Sequence, residues 1–333
     1  MERDVRDLVD VQLLEKWQRD LPLVRRPFAV LAENLGTDES EIIERLARLQ
    51  NSGIVARVGG VVRPNTLGAS TLAALAAPDF EVEDVAAQIA AEPGINHIYL
   101  RENDWNIWFV ATGPDRASVD ESLRRVSQRT GLQVLDIRLE KPYHIDLGFT
   151  LTGCKAATPE PTSAHELEPF NPRPGDRQLA QCMTRGLPLV PRPFEVLAQR
   201  LDLREEHVIQ RIKELCDFGV FPRIGVIVRH RALGWCSNAM VVWDVPPEDV
   251  DRKGAALATS PGVNLCYRRT RYPQAWPYNL YCMIHAKSRE DALKLLEEAS
   301  ASVGLDKYPR KILFSLRCFK QTGAMVASSK EAA

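Results

Sequence analysis

The sequence predicts an α+β protein built as a tandem repeat, each half a winged helix-turn-helix segment followed by a ferredoxin-like βαββαβ domain. Three observations predict it. First, LPLVRRPFAVLAENL from Leu21 returns as LPLVPRPFEVLAQRL from Leu187. The register then holds through Gly53 and Gly219, Arg57 and Arg223, Gly59 and Gly225, Arg63 and Arg229, and Gly68 and Gly234, each pair 166 apart (219 − 53). GINHIYLREN from Gly94 pairs with GVNLCYRRTR from Gly262 at 168 (262 − 94), and Asn106 pairs with Asn279 after a longer insertion, as loops of duplicated domains allow. Second, apolar residues recur at helical spacing in the opening segment of each half. Third, strand-like and helix-like segments alternate through the remainder.

The elements follow in order. Pro27 suits a helix start, with Phe28, Leu31 and Leu35 on one face; Asp38 and Glu41 then read as an N-cap and its partner for a second helix, whose stripe is Ile42, Ile43, Leu46 and Leu49 and which Gly53 ends. IVARVGGVV reads as the β-hairpin wing. STLAALAA is a strand, VEDVAAQIAAEP a helix with Val82, Val85 and Ile89 inward, and INHIYLRE and NIWFVATG are strands. ASVDESLRRVSQR is a helix with Val119, Leu123 and Val126 inward, and VLDIRLE is the closing strand, giving a sheet with both helices on one face. The expected boundaries are an N-terminal helix and winged segment over 1–66, a ferredoxin-like domain over 67–150, a proline-rich linker over 151–177, a second winged segment over 178–232, a second ferredoxin-like domain over 233–323 and a tail over 324–333.

Composition narrows the function. Lys plus Arg (43) nearly balance Asp plus Glu (44), so no cationic excess draws in nucleic acid or an anionic membrane. The would-be recognition helices begin Asp38-Glu39-Ser40-Glu41 and carry Glu205 and Glu206, which a DNA duplex repels and a helix N-terminus accommodates. Seven cysteines without a CxxC pair read as reduced thiols of a cytoplasmic protein, with no metal site. The charged N-terminus has no apolar core for a signal peptide, and no apolar run is long enough to span a bilayer. No Ser-His-Asp order, P-loop or glycine-rich dinucleotide fingerprint occurs, so hydrolase, kinase and dehydrogenase readings have no foothold.

The architecture resembles the Lrp/AsnC transcriptional regulators, repeated twice over nearly the whole chain. Within that superfamily, RPF at the first helix, RxGG or RxGV at the wing, NHIYLRENDWNIWF from Asn96 and CYRRTRYPQAWPYNLYCMIH from Cys266 are similar to the siroheme decarboxylases in their fused two-subunit form. The resemblance implies removal of carbon dioxide from two acetate side chains of siroheme, giving didecarboxysiroheme on the route to haem d1. It implies siroheme, an iron tetrapyrrole, as the partner, with other proteins of haem d1 biosynthesis as further candidates, and no cofactor beyond that substrate, whose ring is itself the electron sink. The rivals are a regulator of the Lrp/AsnC type sensing a small ligand or haem, and a tetrapyrrole carrier without turnover. Pairing of the two halves could replace the homodimer usual in the related regulators, or the fused chain could pair again.

Residues follow from that chemistry. Strand alternation puts His97, Tyr99 and Arg101 on the face without helices, with Ile98 and Leu100 opposite. Tyr267 and Arg269 recur in the second half, but Leu265 stands where His97 would be, which favours one pocket over two. A proton must be supplied, so His97 leads as donor, with Tyr99 as alternative or relay. Arg101, Arg268 or Arg269, and Arg271 are available to grip carboxylates, and Trp105, Tyr272, Trp276 and Tyr278 to stack on a flat ring, with Trp108 and Tyr281 able to serve as core instead. Asn106 and Asn279 are included as substrate ligands, and TRYPQAWPYN is expected to form a lid or wall. His144, aligned with Phe314, could be a second acid, a ligand to the substrate's iron or a capping hydrogen-bonder. His285, matching Thr112, is a weaker candidate, and His230 reads as surface.

Overall fold

The computed structural model describes residues 7–145 and 170–327. In chain order they form α1 (Leu8–Lys16), α2 (Pro27–Leu35), α3 (Glu39–Asn51), β1 (Val55–Val61), β2 (Ala69–Leu75), α4 (Val82–Ala90), β3 (Ile95–Arg101), β4 (Ile107–Gly113), α5 (Arg116–Thr130), β5 (Leu135–Ile137) and β6 (Leu139–Ile145). The second half supplies α6 (Asp176–Arg185), α7 (Pro193–Arg200), α8 (Glu205–Asp217), β7 (Arg223–Val228), β8 (Ser237–Trp243), α9 (Pro247–Ala258), β9 (Val263–Arg269), β10 (Leu280–Ala286), α10 (Arg289–Val303) and β11 (Arg310–Gln321). They form two units that cut across the repeat: one holds both winged segments and the described C-terminal residues, the other both ferredoxin-like halves. Most of the expected linker, including Cys154, lies outside the described residues, and its last two residues already belong to α6.

In the first unit the repeat is visible residue by residue. Asp10 of α1 accepts from Arg45 at 3.0 Å, and Asp176 of α6 from Arg211 at 2.7 Å, a buried carboxylate tying each leading helix to the recognition helix. Gly53 and Gly219 stop α3 and α8 with positive φ (77° and 67°), a conformation that costs glycine little. Asp38 sits at the N-cap of α3 but makes no side-chain cap; Thr37 bonds Glu41 instead. The glutamates opening α3 and α8 are neutralised locally, Glu39 by Arg26 and Glu205 by Arg192. The described tail is fastened: Gln181 Oε1 accepts from Val326 N at 2.9 Å.

The expected wing hairpins do not form. β1 instead pairs antiparallel with β7, from Val55 opposite Val228 to Val61 opposite Arg223. The chain leaving each leading helix takes the place of a returning strand: Leu187 N donates to Val58 O, Val226 N to Trp17 O and Leu21 N to Ile224 O. That close passage explains the wing glycines. A Cβ on Gly59 would stand 2.4 Å from the Met183 carbonyl oxygen, and one on Gly225 2.5 Å from that of Gln18. His230, expected at the surface, is buried, and burial with Arg231 nearby pushes its pKa down to about 4.

In the second unit each half shows the ferredoxin-like order, β5-β2-β4-β3 and β11-β8-β10-β9, but the halves merge into one nine-stranded sheet, β5-β2-β4-β3-β11-β8-β10-β9-β6. The single closing strand expected of the first half is two strands. β5 stays at home, and after Arg138 the chain crosses as β6 to the far edge, beside β9. β11 performs both tasks in one run, pairing first with β8 and then with β3. Because β5 and β6 are consecutive in the chain yet at opposite ends of the sheet, the sheet must curl until its ends meet. α9 and α10 pack outside, over a core of Val241, Trp243, Leu257, Cys282, Ile284 and Leu296. The helix-free face curls inward, joining Ala74, Trp108, Leu135 and Ile137 of the first half to Met240, Val242, Tyr281 and Leu313 of the second.

Gly225→Ala should therefore destabilise the first unit by about 1–3 kcal/mol, the usual cost of overpacking against backbone that cannot give way. Urea denaturation checks this, and an unchanged midpoint would remove the close approach as the reason for the wing glycines.

Candidate functional site

His97, Tyr99 and Arg101 stand in a ladder on the helix-free face. The His97 and Tyr99 rings are 6.5 Å apart with planes 18° from parallel, and the Arg101 guanidinium carbon lies 5.5 Å from the Tyr99 ring centre. His97 and Tyr99 are half-buried and Arg101 is buried. Register extends the ladder sideways, since directly paired residues share a face. On β11, Gln321 sits opposite His97, Cys318 opposite Tyr99 and Ser315 opposite Arg101; on β4, Val110 and Trp108 flank His97 and Tyr99.

The second half repeats the frame with different chemistry. Leu265, Tyr267 and Arg269 form its ladder, Arg269 lying 5.0 Å from the Tyr267 ring centre and 5.9 Å from that of Tyr281. Its flanking strand β6 places Ile145, Pro142 and Leu139 at the positions of Gln321, Cys318 and Ser315. Tyrosine and arginine thus recur in both ladders, while His97, Gln321, Cys318 and Ser315 of the first are replaced by Leu265, Ile145, Pro142 and Leu139 in the second. The sequence shows the His97/Leu265 difference, but not the flanking residues, whose pairing depends on the strand exchange.

Several expectations need correction. His144 pairs with Cys266, which belongs to the helix-side core, so register puts it on the face opposite to that of His97. Its counterpart is Lys320 (320 − 144 = 176, as 318 − 142 = 176), which pairs with Ile98, and not Phe314. Asn106 and Asn279 are backbone clasps: Asn106 accepts from Ala77 N at 2.9 Å and donates to Ala77 O at 2.8 Å, while Asn279 holds Val245 in the same way, both at 3.0 Å. Trp276 is core, packed edge-on to Trp108 at 5.1 Å with its Nε1 donating to Tyr281 Oη at 2.7 Å. Trp105, Tyr272 and Tyr278 are partly exposed against the same cluster, and Asp136 N donates to Tyr272 Oη at 3.0 Å, so this loop is folded down as a wall. Arg101 is 5% exposed and donates Nη1 to Asn238 Oδ1 at 3.1 Å and to Leu313 O at 3.0 Å, which makes it a brace rather than an open clamp.

The open cationic surface lies in the other half. A pocket of about 170 Å³ is lined by Glu140, Pro247, Arg268, Arg269, Arg271 and Asn279. Arg268 is ion-paired to Glu140 at 2.7 Å and Asp251 at 3.3 Å, and Arg271 to Asp244 at 2.9 Å. Arg269 donates Nη1 to Ile137 O at 3.1 Å, and among the described residues no carboxylate forms an ion pair with it. Burial pushes its pKa down, with Tyr267 and Tyr281 opposing. A desolvated guanidinium facing open volume is an electrostatic site for an anion. His285, a weaker candidate in the sequence, is buried beside Asn238 on the face of the His97 ladder. No group of three or more His, Cys, Asp and Glu among the described residues is arranged to hold a metal ion.

Comparison with known proteins bears on these sites. The AsnC-like ligand binding domain family matches residues 66–141 and 232–320, and the siroheme decarboxylase NirDL-like HTH domain family matches residues 10–55 and 176–221. The chain is 52% identical over 321 residues to the siroheme decarboxylase NirDL subunit of Paracoccus denitrificans (strain Pd 1222), covering 96% of this chain and 98% of the relative. It is 31% identical over 313 residues to a siroheme decarboxylase of Hydrogenobacter thermophilus, covering 93% and 92%. A crystal structure of the siroheme decarboxylase NirDL in co-complex with an iron-uroporphyrin III analogue matches with a TM-score of 0.67 at 28% identity, over 97% of this chain and 95% of that one.

One pH effect follows from the pocket rim. Hydrogen bonding from Tyr143, then from Lys141 and Arg268, holds the Asp251 carboxyl down at about 2. A depressed carboxylate adds stability that is fully present above its unfolded value of about 3.9 and is lost as pH falls through the folded one. Wild-type stability should fall between about pH 4 and pH 2 more steeply than that of Asp251→Asn, by a modest amount because the side chain is half exposed. Parallel acid titration curves for the two proteins would contradict the assignment.

Proposed function

This chain belongs to the siroheme decarboxylase family, and on that premise we propose that it acts as a carboxy-lyase, removing carbon dioxide from two acetate side chains of siroheme to give didecarboxysiroheme for haem d1. The ladder of His97, Tyr99 and Arg101 carries the reading, because its twin in the other half has Leu265, which can donate no proton, at the position of His97. In each round the bond between the side-chain methylene and its carboxylate carbon breaks, carbon dioxide departs, and the electron pair stays on the methylene, shared with the macrocycle. A proton delivered to that carbon completes a methyl group. No outside oxidant or reductant enters, so the substrate's own ring is the only electron sink required.

His97 supplies the proton, since imidazole is the side chain that titrates near neutrality. Tyr99 holds its ring in place by stacking, and Arg101 braces Tyr99 from beneath. Arg269, with Arg268 and Arg271 at the same pocket, grips substrate carboxylates through charge-assisted hydrogen bonds, and Tyr267, Tyr272, Tyr278 and Trp105 offer aromatic surface nearby. His144 is given no part in this reading, because register sets it on the face opposite to His97. A DNA-binding regulator is not favoured, because the relatives that match nearly the whole chain are siroheme decarboxylases. No helix among the described residues is long and apolar enough to cross a membrane, and the free cysteines suit a reducing cytoplasm.

Anaerobic incubation with siroheme, followed by mass spectrometry, should show stepwise loss of two carbon dioxide molecules. His97→Ala should slow that change by about 100-fold or more, the ordinary share of a general acid, while the bound-tetrapyrrole absorbance bands persist. Arg269→Met should mainly raise KM. Turnover by His97→Ala at the wild-type rate would reject His97 as the acid.

A further inference from the structure

Behind Arg101 runs a chain of hydrogen bonds whose direction is fixed from end to end. A guanidinium can only donate, so the Asn238 atom 3.1 Å from Arg101 Nη1 is its carbonyl oxygen. The Asn238 amide nitrogen therefore faces His285 Nε2, at 2.5 Å. That nitrogen must accept, which leaves the ring proton on Nδ1, where Asn264 Oδ1 receives it at 3.0 Å and also accepts from the His285 backbone N–H at 3.2 Å. Arg101, Asn238 and His285 are each no more than 5% exposed. Reversing any one dipole would set donor against donor in a place that water does not reach.

The repeat acts as an internal control. Arg101 and Arg269 occupy equivalent positions and donate to equivalent backbone carbonyls, Leu313 O and Ile137 O. Among the described residues, the asparagine–histidine relay stands behind Arg101 and not behind Arg269. The positions equivalent to Asn238 and His285 carry Ser70 and Thr112, whose hydroxyls cannot build an amide–imidazole chain of that reach. The relay thus accompanies the ladder that contains His97 and is missing where Leu265 replaces it.

We infer that His285 is a positioning residue for the decarboxylation, acting through Asn238 to fix Arg101 beneath Tyr99 and so to set the Tyr99–His97 stack. The inference rests on His97 being the proton donor. Supporting partners of this kind hold a reacting group to a fraction of an ångström, and small misplacements cost large factors in rate.

His285→Thr is the direct test, because threonine already occupies the equivalent position of the other half and the fold accommodates it there. With siroheme under anaerobic conditions, kcat should fall about 10-fold while KM stays within about twofold, as for a group that touches no substrate. His285→Gln, whose amide can accept from Asn238 and donate to Asn264, should recover most of the rate. Asn238→Ser, copying Ser70, should reproduce the His285→Thr defect. An unchanged kcat in His285→Thr overturns the inference, as does equal damage from His285→Thr and His285→Gln, which would mark a packing role. His97→Ala measured alongside separates the two levels: if it is inactive while His285→Thr is normal, only the relay is wrong, and if it is fully active, the proton-donor reading falls and the relay's purpose with it.

Discussion

Exchange of the closing strands is the constraint from which the rest of the second unit follows. β6 leaves its own half after Arg138 and pairs with β9, and the C-terminal part of β11 pairs with β3. Each exchanged strand covers an edge that would otherwise expose unpaired backbone groups. The same exchange makes the sheet continuous, and covalent linkage of β5 to β6 then forces it to curl, so that two helix-free faces become one interior. The pseudo-symmetry is close: Thr270 N donates to Arg138 O as Glu102 N does to Phe314 O. Without the exchange, Gln321, Cys318 and Ser315 would have no reason to lie beside His97, Tyr99 and Arg101.

Within this frame, duplicated residues and divergent residues do different work. Asn106 and Asn279 clasp equivalent loops, Arg101 and Arg269 bond equivalent carbonyls, and Gly53 and Gly219 stop equivalent helices. These pairs maintain a shape that both halves need. His97 against Leu265, His285 against Thr112 and Gln321 against Ile145 are differences the shape does not require, and all three polar members gather around one ladder. Asn106 and Asn279 were expected as substrate ligands, whereas their recurrence as backbone clasps in a duplicated fold is the mark of scaffold.

What could be read beforehand was what is local. Helical stripes such as Val82, Val85 and Ile89, the alternation along β3, and the glycine stops all depend on neighbours within a few residues, and the structure places them where periodicity says. Pairing partners are non-local and were misread where they mattered. LDIRLEKPYHI carries one continuous strand-like pattern, and nothing in it says that the chain changes neighbours at Arg138. β-Bulges between Leu139 and Lys141 and between Pro142 and His144 then break the period of two, so His144 could not be assigned a face from spacing. The wings failed for a related reason: IVARVGGVV reads as a hairpin, while Gly59 within it, like Gly225, lets another backbone pass.

Electrostatics separates the two arginines that symmetry equates. Arg101 is buried and its Nη1 is engaged by Asn238 Oδ1 and Leu313 O, with Asn238 held in turn by His285 and Asn264, which leaves it little access to a ligand. Among the described residues, Arg269 has Ile137 O and two tyrosine faces to offset its desolvation, beside a pocket with two further arginines. On the proposed reading, a polycarboxylate substrate gains most by placing a carboxylate at Arg269, because the protein has already met part of the cost of desolvating that cation. An acetate to be decarboxylated gains by lying away from such a partner, since a guanidinium that stabilises the carboxylate opposes loss of its charge as carbon dioxide. Grip at Arg269 in one half and proton delivery from His97 in the other is, on that reading, an arrangement that satisfies both demands.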